Sequence, residues 1–208
     1  MTADIYVDLV KALYSSVIPL VIAGIAFALI GLDAVVETRD RLLGALWLCG
    51  IFAVTMRLMV VAMFRRRAEG TPLDPAEAGR AERRYAACFF LFALALGGFA
   101  ARAILMGSAD AKLSIVALVF GYGAGVASSV NCRPWIAIPG MMIGMLPMAV
   151  TGCIANAGAH FALGLFTVVF MGAAVEAHLR HYRQLAKSVA MSQAIARWEA
   201  KARPLISL

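Results

Sequence analysis

Charged residues are scarce in this sequence. Asp, Glu, Lys and Arg make up 15% of the 208 residues, whereas apolar residues make up 62%. Soluble domains usually contain about 25% charged and about 45–50% apolar residues, so the composition excludes an ordinary soluble domain. The mean hydropathy of +0.85 instead predicts one compact domain that lies in a membrane.

The motifs of common enzyme sites are missing as well. The sequence has no G-x-x-x-x-G-K-[ST] phosphate loop, no H-E-x-x-H zinc site and no G-x-S-x-G nucleophile turn. The four cysteines are scattered without a C-x-x-C pair, which favours small apolar residues in helix packing over disulfides or a metal cluster. We therefore expect no catalytic site, no metal and no cofactor.

Six apolar stretches are long enough to cross a bilayer, which takes about 20 helical residues. They are predicted at residues 14–32, 42–64, 85–106, 113–130, 135–154 and 159–177. An amphipathic segment at 5–13 precedes the first span. The fifth span is expected to be broken by Pro139 and Pro147, and the sixth to continue as a polar helix to about Ala202, where Pro204 stops it. The predicted fold is an all-α polytopic bundle of six transmembrane helices.

The segments between the spans predict the orientation. Six arginines lie between the second and third spans, at residues 65–84, and six lysines or arginines lie in the tail from Arg180 to Arg203. Basic residues favour the cytoplasmic side, so both termini are predicted to be cytoplasmic. This distribution indicates that the net charge of +7 serves contact with anionic lipid and not nucleic-acid binding. Residues 33–41 are expected to form a charged turn, and 68–84 a loop with a short helix at 75–84.

Arg57 is the main candidate for a binding site, because an ionisable group inside a span is costly to bury. It lies about two turns inside the second span. Two interpretations are open: a counter-ion or ligand clamp that faces the bundle, or a side chain that extends along its aliphatic stem to the cytoplasmic headgroups. Glu176, near the cytoplasmic end of the sixth span, lies at a depth that suits pairing with Arg57. The sequence leaves open whether the two meet.

Two further patterns concern helix packing and the exit of the sixth span. The fourth and fifth spans each contain G-x-x-x-G and are joined by a four-residue turn, so we interpret the glycines as their mutual packing face and dimerisation as the second alternative. These are Gly121, Gly125, Gly140 and Gly144. His178 and His181 are three residues apart and share a helix face. We interpret them as a solvated interfacial pair and not as ligands of a metal or haem.

Short motifs give the chain a resemblance to a known family. They are L-Y at 13–14, Trp47, T-M-R-L-M at 55–59, R-P-W-I at 133–136, M-L-P-M at 145–148 and H-Y-R at 181–183. R-P-L-I-S-L at 203–208 is similar to the D-P-L-T-G-L that opens a GGDEF domain, although it lacks the aspartate and the glycine. With its six spans, the chain resembles the N-terminal membrane module of bacterial GGDEF diguanylate cyclases and GGDEF–EAL signalling proteins.

This resemblance implies a sensor or anchor in the bacterial inner membrane, with residues 1–180 as the transmembrane domain and 181–208 as a cytoplasmic connecting helix. That helix would pass a signal to a diguanylate cyclase-type output domain of cyclic di-GMP signalling, located beyond residue 208 or on a partner protein. A parallel homodimer is expected, with a signal helix that contains His178, His181, Tyr182, Leu185 and Val189. The rival interpretation is a small transporter or channel with its site near Arg57, which the broken fifth helix favours.

Overall fold

The computed structural model describes residues 3–14, 17–68, 74–130, 133–154 and 159–206. These residues form seven helices: α1 (Ala3–Leu13), α2 (Val17–Thr38), α3 (Arg41–Ala68), α4 (Pro75–Met106), α5 (Ala109–Ser129), α6 (Pro134–Ile154) and α7 (Ala159–Ile206). Six helical segments are long and apolar enough to cross a membrane, the first between Leu9 and Thr38 and the others in α3 to α7. The prediction of an all-helical chain with six such helices is confirmed.

The outer surface of the bundle is apolar. Ile18, Leu113 and Ile154 are all more than 70% exposed, and large apolar side chains are exposed on every one of α2 to α7. Soluble monomers rarely expose apolar surface on this scale, whereas lipid accepts it and demands that backbone polar groups be satisfied within helices. These are the features of a multi-pass membrane protein.

Helix α4 lies at the centre of the bundle. It packs against α1, α3, α5 and α6, while α2 packs on α3 and α5, and α7 packs on α5 and α6. Its large side chains Phe89, Phe92, Leu96 and Phe99 are almost completely buried. We call the end of the bundle where α3 ends and α4 begins the arginine-rich end, because it carries Arg65, Arg66, Arg67, Arg80, Arg83 and Arg84.

Two connections between helices are shorter than predicted. The charged turn expected at 33–41 is reduced to Arg39 and Asp40, because α2 continues to Thr38. Arg39 has a φ of 51°, a left-handed conformation that ends a helix, and Asp40 accepts a hydrogen bond from the Leu43 N–H at 2.8 Å as the cap of α3. The short helix expected at 75–84 is the first part of α4, and residues 69–73 of the expected loop lie outside the described residues.

Helix α6 is continuous, so the expectation of a broken fifth span is wrong. Pro139 and Pro147 both lie inside it. A proline removes the hydrogen bond to the carbonyl four residues earlier, which for Pro147 is that of Ile143. The backbone of α4 packs on this carbonyl at Gly97, so closely that a Cβ atom there would collide with the oxygen. A neighbouring helix thereby covers the freed carbonyl.

Helix α7 is longer than any bilayer crossing requires. Its 48 residues correspond to about 72 Å at a rise of about 1.5 Å per residue, against a hydrocarbon core of about 30 Å. The predicted end at Ala202 is corrected, since the helix continues to Ile206. Pro204 falls in the last turn, where the missing N–H costs only one hydrogen bond at the end of the helix.

Candidate functional site: a membrane cavity at Arg57

A cavity of about 430 Å³ lies between α2, α4 and α5 and reaches Arg57 on α3. This volume is within the range of about 300–1,000 Å³ that is typical of small-molecule sites. Its walls are almost entirely apolar, with aromatic side chains from α4 and small residues from α5. Ile22 of α2 and Gly121 of α5 are both exposed and both line the cavity, so it reaches the outer surface of the bundle between these helices.

Arg57 is buried in the wall of this cavity. Its side chain is only 7% exposed, and one Nη2–H donates to the hydroxyl of Tyr85. The guanidinium carbon lies 4.7 Å from the ring centroid of Tyr85 and 4.7 Å from that of Phe89, within the range of cation–π attraction. Within the part of the chain that the structure describes, Nε has no hydrogen-bond partner. The side chain therefore faces the bundle and does not extend to the headgroups.

The structure does not pair Arg57 with Glu176. The Glu176 carboxylate is exposed and accepts from Arg180, one turn later in α7, at 2.5 Å. Pairs four residues apart on one helix face form readily, and Glu176 does so here. Among the described side chains, no carboxylate forms an ion pair with Arg57. Among the described side chains, two aromatic faces and one hydroxyl offset the guanidinium charge.

The four predicted packing glycines have different environments. A Cβ atom at Gly140 would collide with the Phe89 ring, and one at Gly144 would collide with the Tyr122 ring. At Gly121 and Gly125 a Cβ atom would meet nothing within 4 Å, because both line the cavity. The interpretation of all four as one face between α5 and α6 is therefore corrected: Gly140 and Gly144 admit large rings, and Gly121 and Gly125 leave open space.

Helix α5 separates the cavity from α7. One of its faces lines the cavity, and the opposite face contacts α7. The ring of Phe120 stacks on Phe170 with centroids 4.5 Å apart, and a Cβ atom at Gly123 would lie 3.2 Å from the Phe170 ring. His178 lies beside the backbone of Ala127. A molecule in the cavity would thus be one helix away from α7.

The residues of the predicted signal helix differ in exposure. His178 is fully buried and lies against the backbone of Ala127. His181 and Tyr182 are exposed and Leu185 is half-buried, while the side chain of Val189 lies outside those described. The interpretation of both histidines as a solvated pair is wrong for His178, because α7 still packs on α5 at that point.

A second buried arginine, which no sequence pattern marks as a site, forms an ion pair at the arginine-rich end. Arg133, just before α6, places Nε 2.5 Å from Oε1 of Glu82 in α4, and both side chains are buried. Trp135 donates to the same carboxylate at 3.1 Å, and Tyr6 of α1 donates to it at 2.5 Å. The hydrogen bond to Glu82 raises the pKa of Tyr6. We call these four residues the Glu82 cluster.

The Glu82 cluster joins three separate parts of the chain. At the cavity, by contrast, Arg57 has no counter-ion among the side chains that the structure describes. Interfacial aromatic residues such as Tyr6 and Trp135 are a sequence signal for the cluster, but their common partner is visible only in the fold. No family model, no curated protein and no solved structure matches the chain.

Proposed function

We propose that the chain is a membrane sensor or anchor module that passes a signal to a cytoplasmic output domain through the C-terminal part of α7. The observation that carries this proposal is the continuity of α7, which runs from the membrane bundle to Ile206 as a single helix. A continuous helix transmits rotation or translation along its axis, whereas a flexible linker does not. The part beyond residue 180 is not needed to cross a bilayer.

The contacts of α5 support a coupling between the cavity and α7. Gly121 and Gly125 face the cavity, whereas Phe120 and Gly123 face α7. Filling the cavity would press on the first face, and the second face would pass the displacement to Phe170. Packed interfaces respond to such shifts by repacking as units. We therefore assign ligand detection to the cavity and transmission to α5 and α7.

In the proposed orientation the bundle lies in the bacterial inner membrane. The arginine-rich end faces the cytoplasm, the side that basic residues favour. A second cavity of about 380 Å³ at this end is lined by Arg67, Arg80 and Arg84, a composition that suits the headgroups of anionic lipids. The part of α7 from residue 181 to Ile206 then forms the connecting helix of a parallel homodimer. The resemblance to GGDEF modules supports an output domain of the diguanylate cyclase type, in the same chain or on a partner.

The transporter interpretation keeps one supporting observation and loses another. The cavity at Arg57 is a possible binding site for a transported solute, but α6 is continuous, so the discontinuous helix typical of many transporters is missing there. The cavity reaches the side of the bundle at Ile22 and Gly121. This opening suits a molecule that partitions into lipid better than one that passes from water to water.

Pulsed electron paramagnetic resonance on spin-labelled protein in nanodiscs tests the proposal. In a cysteine-free background, a label replaces Met191, an exposed residue of α7, and a control label replaces Leu113, an exposed residue at the other end of the bundle. Two paired tails predict a narrow interspin distance for Met191 and a different, longer one for Leu113. Absence of dipolar coupling at Met191, together with solute flux into liposomes that Arg57→Ala abolishes, would overturn the sensor proposal in favour of transport.

A further inference from the structure

The cavity at Arg57 combines one cation with a long apolar surface. Two other polar side chains in its wall already have partners: the Tyr122 hydroxyl donates to the Gly140 carbonyl at 3.0 Å, and the Ser129 hydroxyl donates to the Gly125 carbonyl at 2.6 Å. A guanidinium has five N–H donors. Arg57 lines the cavity, and its one hydrogen bond among the described residues is the bond from Nη2 to the Tyr85 hydroxyl. The polar group available to a ligand is therefore a cationic donor.

Arg57 lies towards one end of the cavity. On α3, Val54 packs against Gly24 of α2. The two helices are antiparallel, so Arg57, which lies one turn after Val54, is near the level of Leu20 on α2. The cavity continues along α2 to Ile30, ten residues or about 15 Å further. That remote part is lined by Leu96 and Ala117. The space is thus elongated, with the cation near one end and apolar walls along the rest.

The depth of Arg57 limits what can reach it. It precedes Arg65, near the interface, by eight residues, or about 12 Å of helix. A phospholipid headgroup belongs to the polar layer outside the hydrocarbon core, so its phosphate does not descend to this level. A small anionic group on a flexible chain can descend, because the guanidinium offsets the cost of removing it from water.

We propose that the cavity binds a single-chain amphiphile with a terminal carboxylate, which enters from the bilayer between α2 and α5. The carboxylate accepts hydrogen bonds from the guanidinium of Arg57, and the chain lies along α2 and α5 towards Ile30 and Ala117. An extended chain advances about 3.6 Å per three bonds, so about 12 bonds fill 15 Å. The inference rests on the proposed sensor function, because it names the class of molecule that the sensor detects.

Binding of dodecanoate to the full chain in phosphatidylcholine nanodiscs tests this inference. We expect saturable binding and a rise in the melting temperature, since a ligand that binds only the folded state stabilises it. Dodecanol, which has the same chain and no carboxylate, should bind about tenfold to a hundredfold more weakly, as expected for the loss of a charge-assisted hydrogen bond. Arg57→Met should weaken dodecanoate binding by a similar factor.

Two glycine variants control for folding. Gly121→Leu places a side chain in the cavity and should abolish binding, whereas Gly172→Leu, at a site on α7 that is equally open but is not part of the cavity wall, should leave binding unchanged. Equal binding of dodecanoate and dodecanol, or binding that neither Arg57→Met nor Gly121→Leu weakens, would show that the cavity holds bilayer acyl chains only and would overturn the inference.

The outcomes separate this inference from the sensor function. Dodecanoate binding that leaves the interspin distance at Met191 unchanged would support the ligand class and contradict transmission through α7. A defined tail distance without dodecanoate binding would support the signalling module and overturn the ligand class.

Discussion

Arg57 and Arg133 are both buried arginines, but their surroundings differ. Arg133 lies 2.5 Å from the Glu82 carboxylate, whereas Arg57 has the Tyr85 hydroxyl, two aromatic rings and a cavity. Among the described residues, Nε of Arg57 and both Nε and Nη2 of Arg133 have no hydrogen-bond partner. The difference lies in the charge: Glu82 neutralises Arg133, and no described side chain neutralises Arg57.

This comparison distinguishes a structural charge from a binding charge. A buried ion pair is hard to break because the remaining partner is left uncompensated in a medium of low dielectric constant. The Glu82 cluster therefore holds α1 and the start of α6 against α4. A buried cation without a counter-ion costs free energy and is a candidate for function when it lies in a cavity.

Removal of the Glu82 carboxylate should have the largest effect. Glu82→Ala leaves Arg133 uncompensated and removes the acceptor of Tyr6 and Trp135, so we expect a loss of about 3–5 kcal/mol in the free energy of unfolding. The matched control is Glu77→Ala in the same helix, since Glu77 pairs with Arg67, which is 70% exposed. That loss should stay below about 1 kcal/mol. Denaturant titration in bicelles measures both, and equal losses would contradict a structural role for the cluster.

Glycine substitutions test whether the cavity is open, with a smaller effect. Gly140→Ala places a methyl group against Phe89, one of the two rings beside Arg57, and should cost about 1–3 kcal/mol by overpacking. Gly121→Ala places the same group in open space and should be neutral or slightly stabilising, because alanine favours helix over glycine. The same titration compares them. A comparable loss at Gly121 would mean that no cavity exists there.

The smallest effect is expected at Asp40, where Arg102 donates to the carboxylate at 2.6 Å. This hydrogen bond lowers the pKa of Asp40. The stabilisation is therefore present above the ordinary aspartate pKa of about 3.9 and is lost as the pH falls through the lower, folded-state value. Asp40→Asn keeps the capping side chain but should remove this part of the acid sensitivity. Melting temperatures of both proteins from pH 7 to pH 3 measure the acid sensitivity. Parallel curves of melting temperature against pH would contradict a contribution from Asp40.

Much of the fold could be predicted from the sequence, because lipid imposes long apolar helices. The predictions that are wrong concern features that depend on contacts between helices. The prolines of α6 do not break it, since α4 covers the freed Ile143 carbonyl at Gly97. The G-x-x-x-G spacing of Gly121 and Gly125 allows another helix to approach closely. It does not show that a helix packs there.

The candidate site could be predicted only in part. Arg57 was identifiable because a charge inside a span is rare. Its neighbours Tyr85 and Phe89 lie about thirty residues away in the sequence and on another helix, and no local pattern links them to it. For Glu82 the polar segment predicts only a short helix at 75–84 inside a loop. Its burial under Tyr6 and Arg133 depends on the full length of α4, which the local pattern does not indicate.

The most direct test of the account compares Arg57→Met with Arg133→Met in the same bicelles, without added ligand. Methionine keeps a flexible chain and removes the charge in both variants. We predict that Arg133→Met loses about 3–5 kcal/mol, because Glu82 is left buried and unpaired, and that Arg57→Met is as stable as the unmodified protein or more stable. A loss at Arg57 as large as that at Arg133 would show that the Arg57 charge holds the fold together and would contradict its assignment to a ligand.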